Sequence, residues 1–387
     1  MQSPNHGVLT KFLAIGAITL CVSCPNLVAQ DTTKKDDVKD RLVGIGTSDG
    51  LTLNAYWFQG NAIDKQVPDA VLMFPAPGSK VNDAWISLAK ALSAKNFSVL
   101  LFDWRGCGLN AADTAGSRIF EDKDQFWRES YNGRLLSQRK TRLEDKGLDW
   151  KTVSTMHDSR TRYRDFALMN DLLAARFYLD KQNDAKKCNT NRIWVVSEKD
   201  GAHNGMAFIA AEFQRNSIFD PKINRFDRVS GFRSAGKDYV GLIAMSYLAN
   251  GPSSPTATMV ARNALAASGS EAKTHLENRL AMVLMHTNVE GPNASKALVS
   301  AVGVDDDLEE MKKRYKYTKE FDVKLAKAPP VGIELIDLAD TFKAKDYVID
   351  AMVRISRAQP FGKEPTDRDA SKMVVVPRFQ IEQFNRR

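Results

Sequence analysis

The chain has 387 residues, an apolar share of 43% and a formal net charge of +8. This length and composition allow one large domain or two small ones with a full hydrophobic core. Acidic and basic residues alternate, and short basic clusters such as Arg139–Arg142 come without a recognisable nucleic-acid-binding module. We therefore interpret these clusters as a solvated face and expect no nucleic-acid partner.

Residues 1–29 have the pattern of a secretory signal peptide. Lys11 precedes the apolar run Phe12–Val22, which is too short to span a bilayer, and small residues follow up to Ala29. We expect cleavage near Ala29 and export to the periplasm or the extracellular space. Cys24 raises the alternative of a lipoprotein, but Cys21 stands where a lipidated cysteine usually has a leucine. No later segment is long and apolar enough to predict a membrane span.

The mature chain begins with a polar leader at residues 30–41. The predicted domain covers residues 42–377, and residues 378–387 form a polar tail. Within the domain, residues 111–163 are polar and show little periodicity, so we interpret them as an insertion.

The first half of the domain predicts a hairpin followed by a strand–helix–strand unit. Leu42–Thr47 and Leu51–Phe58 flank an Asp-Gly pair, which is typical of a β-hairpin. Buried strands are predicted at Ala70–Phe74 and Phe97–Phe102, and this order favours a parallel sheet. The helix between them follows from apolar residues at helical spacing, namely Trp85, Leu88, Ala89 and Leu92.

The segment Arg192–Ile209 is the centre of the predicted domain. A β-branched apolar run ends in a polar turn, and small and apolar residues then recur at helical spacing. A G-x-S-x-G nucleophile elbow has the same strand–turn–helix pattern. Here Ser197 stands at the first glycine position, Lys199 at the nucleophile position and Gly201 at the last glycine position.

Further elements follow the elbow. Strands are predicted at Tyr239–Tyr247, Leu280–Met285 and Gly332–Ile336, and a helix is predicted over Asp346–Ile355. Met373–Val376 has the composition of an additional edge strand, whose place in the sheet the sequence leaves open.

Taken together, these segments resemble the α/β-hydrolase family. DGLTLNAYWF, VLMFPAPGS, FDWRGCGLN and VVSEKDGA follow the order of that family from its first hairpin to its elbow. FDWRGCGLN is similar to the D-x-R-G-x-G-x-S turn after the fourth strand. The resemblance runs to about residue 357. It implies an α/β-hydrolase-like fold with a mostly parallel central sheet, helices on both faces and an insertion after the fourth strand.

The resemblance also implies a catalytic triad in the order serine, acid, histidine, with the histidine after the last strand. Glu290 takes the place of the acid, and a solvated glutamate in an Asn/Gly-rich turn is the alternative interpretation. Lys199 replaces the serine, and no histidine follows His286. Loss of triad members lowers turnover about a millionfold. The serine and the histidine of the triad are thus both missing from their expected positions. We therefore expect no serine-hydrolase mechanism.

Other chemistry at the elbow depends on His203, which lies one helical turn after Lys199. It is a candidate helper for covalent or acid–base chemistry by the lysine amine. The alternative is that His203 packs beneath the elbow. No histidines and carboxylates stand at metal-ligand spacing, and no glycine-rich phosphate loop or dinucleotide fingerprint occurs, so we expect no metal and no cofactor.

The sequence therefore predicts an exported α/β-hydrolase-like protein without serine-hydrolase activity, which acts in binding or scaffolding. The alternative is an active esterase or peptidase-like hydrolase with a rearranged site. For binding, we predict a small anionic ligand held by Lys199 and Asp200, with Gly78 and Ser79 on the facing loop. In the competing hypothesis the pocket is closed, because Lys199 pairs with Glu198, Asp200 or Glu290.

Cys107 and Cys188 are the only cysteines after the predicted cleavage site. The first follows the carboxyl end of its predicted strand and the second precedes the amino end of the elbow strand. A strand spans roughly 17–20 Å, whereas a disulfide requires Cα atoms within about 7 Å. We therefore predict that both thiols are unpaired.

Overall fold

In the computed structural model of the protein, the described residues are 41–47, 52–61, 66–111, 162–213, 215, 234–247, 270, 272–275, 279–287, 319–323, 333, 344–359 and 362–370. The predicted signal peptide, almost all of the leader, most of the insertion, the polar tail, the strand Met373–Val376 and Glu290 lie outside them. Those expectations stay predictions.

An eight-stranded sheet forms the centre of the domain. Its strands are β1 Leu42–Gly46, β2 Thr52–Phe58, β3 Asp69–Phe74, β4 Phe97–Phe102, β5 Asn189–Glu198, β6 Tyr239–Met245, β7 Ala281–Thr287 and β8 Lys319–Val323. Their spatial order is β1-β2-β4-β3-β5-β6-β7-β8. Strand β2 pairs antiparallel with β1 and β4, and all other neighbours pair parallel. This topology confirms the predicted α/β-hydrolase-like fold.

Helices cover both faces of the sheet, as predicted. They are α1 Asp83–Ser93, α2 Arg162–Asp184, α3 Lys199–Glu212 and α4 Ala344–Ala358. Helices α2 and α3 pack into the apolar cluster on one face, and α1 and α4 pack into the cluster on the other. The start of α1 is fixed by Asn82, whose side chain accepts a hydrogen bond from the amide of Trp85 at 3.2 Å. None of the described helices is long and apolar enough to cross a membrane.

Two elements differ from the sequence prediction. The predicted last strand Gly332–Ile336 is wrong at its one described residue, because Ile333 lies in a turn. The strand beside β7 is instead Lys319–Val323, in which three of the five residues are charged, so a search for apolar runs misses it. Helix α2 was not predicted either, because charged residues interrupt its apolar periodicity.

Those charged residues of α2 form a buried ionic cluster near the amino ends of β5 and β6. Arg176 contacts Asp180 at 3.1 Å and Asp238 at 2.7 Å. Arg368 contacts Asp238 at 3.1 Å and Asp180 at 4.0 Å. All four side chains are buried, and their charges sum to zero. Pairing of opposite charges is what makes their burial tolerable.

The residues Gly362–Ala370, called the strap below, carry Arg368 to this cluster. The amide side chains of Asn189 and Asn191 donate to the carbonyls of Gly362, Lys363 and Glu364. Asp184 accepts from the amides of Arg368 and Ala370, each at 2.7 Å. The strap therefore closes the amino edge of the sheet.

Cys107 and Cys188 are buried and neither forms a disulfide, which confirms the prediction for the thiols. Burial raises the pKa of Cys188 well above its ordinary value, and the nearby carboxylate of Asp180 acts in the same direction. The thiol therefore stays protonated and poorly nucleophilic in the folded protein.

The cluster gives a stability test. Arg368→Ala leaves Asp238 and Asp180 buried with one cation fewer, so it should destabilise the fold by about 3–5 kcal/mol. Arg354 is the matched control, because its side chain is 83% exposed. Its ion pair with Asp350 is long at 4.0 Å and therefore weak. Arg354→Ala should change the free energy of unfolding by less than about 0.5 kcal/mol. Urea unfolding measures both, and equal midpoints for the two variants would contradict the role of the cluster.

Candidate functional site

The predicted elbow is present, and Lys199 lies at its apex. Strand β5 ends at Glu198, and α3 begins at the next residue. Lys199 has a φ of +46°, in the left-handed region that residues with a side chain seldom adopt. A strained residue at this turn is the hallmark of a nucleophile elbow. The backbone of an elbow is therefore retained although its residue is a lysine.

The elbow is tightly packed against the end of β3. The hydroxyl of Ser197 donates to the carbonyl of Phe74 at 2.7 Å. A Cβ on Gly201 would lie 2.3 Å from Ser197 Oγ and 2.7 Å from the Pro75 carbonyl oxygen. Only glycine fits this position, so the first turn of α3 lies directly on the β3 loop.

Glu198 connects three segments at this edge of the sheet. The sequence predicts it only as a possible ion-pair partner of Lys199. Its side chain is only 3% exposed. Its Oε1 accepts from the amide of Ala76 at 3.4 Å, and its Oε2 accepts from the amide of Ile333 at 2.7 Å. Ala76 follows β3, and Ile333 lies between β8 and α4. One carboxylate thus joins the elbow to the β3 loop and to Ile333.

The loop after β3 has few amides to offer a substrate. Pro75 and Pro77 have no N–H, and Ala76 donates to Glu198. The amide of Ser79 donates to the carbonyl of Ala76 at 2.9 Å. An oxyanion hole needs an N–H from this loop together with one from the elbow. At the first three positions of the loop, the only N–H is already bonded to a carboxylate of the chain itself.

The turn after β4 holds the same loop in place. Asp103 accepts from the amide of Val81 at 2.6 Å and from that of Leu109 at 3.0 Å. The indole of Trp104 donates to the carbonyl of Pro75 at 2.7 Å. Burial raises the pKa of Asp103, whereas the hydrogen bonds from the two amides act against that rise. The motif FDWRGCGLN therefore braces the β3 loop.

The same turn is anchored to α2 by Arg105. Its guanidinium contacts Asp171 at 2.6 Å, and both side chains are fully buried. The backbone amide of Arg105 also donates to Asp171 at 3.2 Å. Charge-assisted pairs of this kind fix geometry as well as charge.

The predicted ligand residues lie at the carboxyl edge of the sheet on two facing turns. Lys199 is half-buried and Asp200 is buried at the start of α3, whereas Gly78 is exposed and Ser79 half-buried on the β3 loop. Within the described part of the chain, Lys199 forms no ion pair, so the expected pair with Glu198 or Asp200 is not made. Glu198 does not pair with Lys199 because its carboxylate accepts hydrogen bonds from the amides of Ala76 and Ile333. The role of these residues in ligand binding stays a prediction.

His203, the candidate helper, is fully buried beneath the elbow. Its ring packs on that of Tyr247, with ring centroids 3.8 Å apart and an angle of 36° between the planes. Burial raises the pKa of Tyr247, so its phenol stays neutral. The helper role of His203 stays a prediction, and its position is buried in the core beside Tyr247.

The other triad positions follow from the observed strands. Glu290 comes three residues after the end of β7 and lies outside the described residues. Among the described residues, the last strand is β8, which lies earlier in the chain than predicted. No histidine occurs among residues 324–387 of the sequence. Within the described residues there is no cluster of three metal-binding side chains.

Comparison with known proteins gave matches only among solved structures. No protein-family model matches the chain, and no curated protein sequence matches it. An esterase of Pyrococcus furiosus aligns with 81% of this chain and 90% of its own, at 13% identity and a TM-score of 0.41. A Butyrivibrio proteoclasticus protein with ferulic acid bound aligns at 13% identity, with 82% and 98% of the two chains covered and a TM-score of 0.41.

A monoglyceride lipase of Saccharomyces cerevisiae, in complex with a substrate analogue, is similar at 11% identity. The alignment covers 79% of this chain and 92% of that one, with a TM-score of 0.41. At these identities and scores, the likeness says nothing about activity, substrate or site residues in this chain.

The packing of Gly201 predicts the sign of a substitution. At an open helical position, Gly→Ala stabilises a protein by roughly 0.5–1 kcal/mol. At Gly201 the added Cβ would clash with Ser197 and the Pro75 carbonyl, so Gly201→Ala should destabilise by about 1–3 kcal/mol.

Gly46→Ala is the control, because a Cβ there meets nothing within 4 Å. Thermal unfolding should show a lower midpoint for Gly201→Ala than for Gly46→Ala. A stabilised Gly201→Ala variant would show that the elbow is not closed against β3.

Proposed function

We propose that this protein is an exported α/β-hydrolase-fold protein that lacks serine-hydrolase activity and acts in binding or scaffolding. The observation that carries the proposal is the environment of the elbow. Lys199 occupies the nucleophile position, and Glu198 binds the Ala76 amide at the β3 loop. The elbow therefore lacks a serine nucleophile, and the Ala76 amide beside it is not available to stabilise an oxyanion.

The size of each loss supports this conclusion. Removing one oxyanion donor alone lowers turnover about 10²–10³-fold. Removing the nucleophile or the histidine of a triad lowers it about a millionfold. The carboxylate of Glu198 would also repel a developing oxyanion near Ala76, because like charges in a buried site repel strongly. These effects act together against acyl transfer by the usual mechanism.

An active hydrolase with a rearranged site is the second candidate. The observation that favours it is the retained elbow, since Lys199 keeps a left-handed backbone and Gly201 keeps the close approach to β3. Strained residues often mark functional sites. Such an enzyme would need a nucleophile other than a serine at residue 199, either the Lys199 amine or a group from another part of the chain, together with a base.

Ester hydrolysis separates the two candidates. We expect the purified protein to hydrolyse p-nitrophenyl acetate and butyrate no faster than a heat-denatured sample. Lys199→Ser should be equally inactive, because it restores a hydroxyl at the elbow but neither the histidine nor the amide held by Glu198. An active serine esterase assayed in parallel shows that the assay works. Turnover by the wild type that grows with protein concentration and survives further purification would refute the proposal.

For the ligand, we propose a small anion at Lys199. Its ammonium forms no ion pair within the described residues, and it lies at the N-terminus of α3. The unbonded amides of a helix N-terminus attract anions, and a lone cation there is unfavourable by about 0.3–1 kcal/mol. A carboxylate, phosphate or sulfate group would remove that penalty.

Thermal melts with increasing sulfate, phosphate and acetate, at constant ionic strength, test the anion site. The wild type should be stabilised with a saturable dependence on one of these anions, and Lys199→Ala should lose that response. Lys90→Ala is the matched control, because Lys90 is also half-buried but lies in the last turn of α1. It should respond like the wild type. Identical responses of wild type and Lys199→Ala would exclude the site.

A further inference from the structure

The carboxylate of Glu198 is bound by the protein as a ligand would be. Both of its oxygens accept a backbone N–H, one from Ala76 and one from Ile333. The donors come from segments 122 and 135 residues away in the chain. Although Glu198 is the N-cap residue of α3, its side chain makes no capping hydrogen bond to that helix. It therefore points toward the amides of Ala76 and Ile333 rather than toward its own helix.

The surroundings favour this position for an anion. Ala76 and Glu198 are both nearly inaccessible to solvent, at 6% and 3% exposure. In such a site a hydrogen bond to a charged acceptor is stronger than in water, and an amide left without an acceptor is destabilising. The amides of Ala76 and Ile333 thus share one buried acceptor, the carboxylate of Glu198.

We propose that Ala76 and Ile333 form a carboxylate-binding pocket that the chain itself occupies with Glu198. While Glu198 remains there, the pocket is closed, and an external carboxylate enters only when that side chain is removed or turned away. The proposal deepens the proposed function, since it rests on the same elbow and states what blocks it. It concerns a different position from the anion at Lys199, the half-buried residue that follows Glu198.

Glu198→Ala tests the pocket by chemical rescue. The substitution deletes one methylene and the carboxylate, and acetate has nearly the same atoms. Without acetate, the variant should melt about 4–10 °C below the wild type, because two buried amides lose their acceptor. Acetate should restore most of this loss with a saturable dependence at constant ionic strength. Pivalate should not restore the melting temperature, because it is too bulky for the space left by two carbons and two oxygens.

Two controls make the result specific. The wild type, whose pocket is filled, should melt at the same temperature in acetate and in chloride. Asp184→Ala removes another carboxylate that accepts two amides, those of Arg368 and Ala370. This substitution deletes the carboxylate alone and no methylene, so acetate is one carbon too large for the space and should restore little of the stability of this variant.

The outcomes are distinct. Rescue of Glu198→Ala alone supports the pocket, whereas no rescue, or equal rescue of all three proteins, overturns it. If Glu198→Ala does not fold in chloride, the yield of refolded protein in acetate replaces the melting temperature, and equally poor yields in both salts overturn the proposal. These results do not depend on ester hydrolysis by the wild type, so a failed pocket and a failed proposed function are told apart.

Discussion

The carboxyl edge of the sheet is organised by the contact between the elbow and the β3 loop. Gly201 lets the first turn of α3 lie against Pro75, and Ser197 is hydrogen-bonded to Phe74 beside it. This contact brings Glu198 within reach of the Ala76 amide. Without so close an approach the carboxylate would reach water instead. The occupied loop amide and the buried state of Glu198 both follow from this one constraint.

Bracing from other elements keeps the contact tight. Asp103 and Trp104 hold the β3 loop from the turn after β4, and Arg105 ties that turn to Asp171 of α2. In a family of hydrolases such bracing would pre-organise a site for the transition state. Here the same rigidity holds a glutamate of the chain in place. The elbow and its bracing are both present, and the residue at the apex of the turn is Lys199.

Much of this fold follows from local sequence patterns. The hairpin, strands β3 to β7 and helices α1, α3 and α4 coincide with predicted segments, because each shows its own apolar period within ten to twenty residues. Helix α2 is not predicted from the sequence because its buried face includes Arg176 and Asp180, which have the composition of a solvent-exposed face. Their burial depends on ion pairs with Asp238 and Arg368. Local patterns carry no information about partners that far away.

The same limit applies to the site. The elbow and Lys199 were identified from one continuous stretch, whereas the role of Glu198 depends on amides 122 and 135 residues away. The two prolines beside Ala76 were the available signal, since they show in advance how few N–H groups this loop offers. Spacing alone leaves the role of His203 open, and its ring contact with Tyr247 joins residues 44 positions apart, which no local pattern predicts.

The central claim is that this elbow does not present an activated serine. The most direct measurement is the reaction of the native protein with a fluorophosphonate probe, followed by mass spectrometry of the intact chain and of its peptides. The account predicts no adduct on the native protein under conditions that label an active serine esterase completely. One adduct per chain on a single serine, lost when the protein is denatured before labelling, would contradict it.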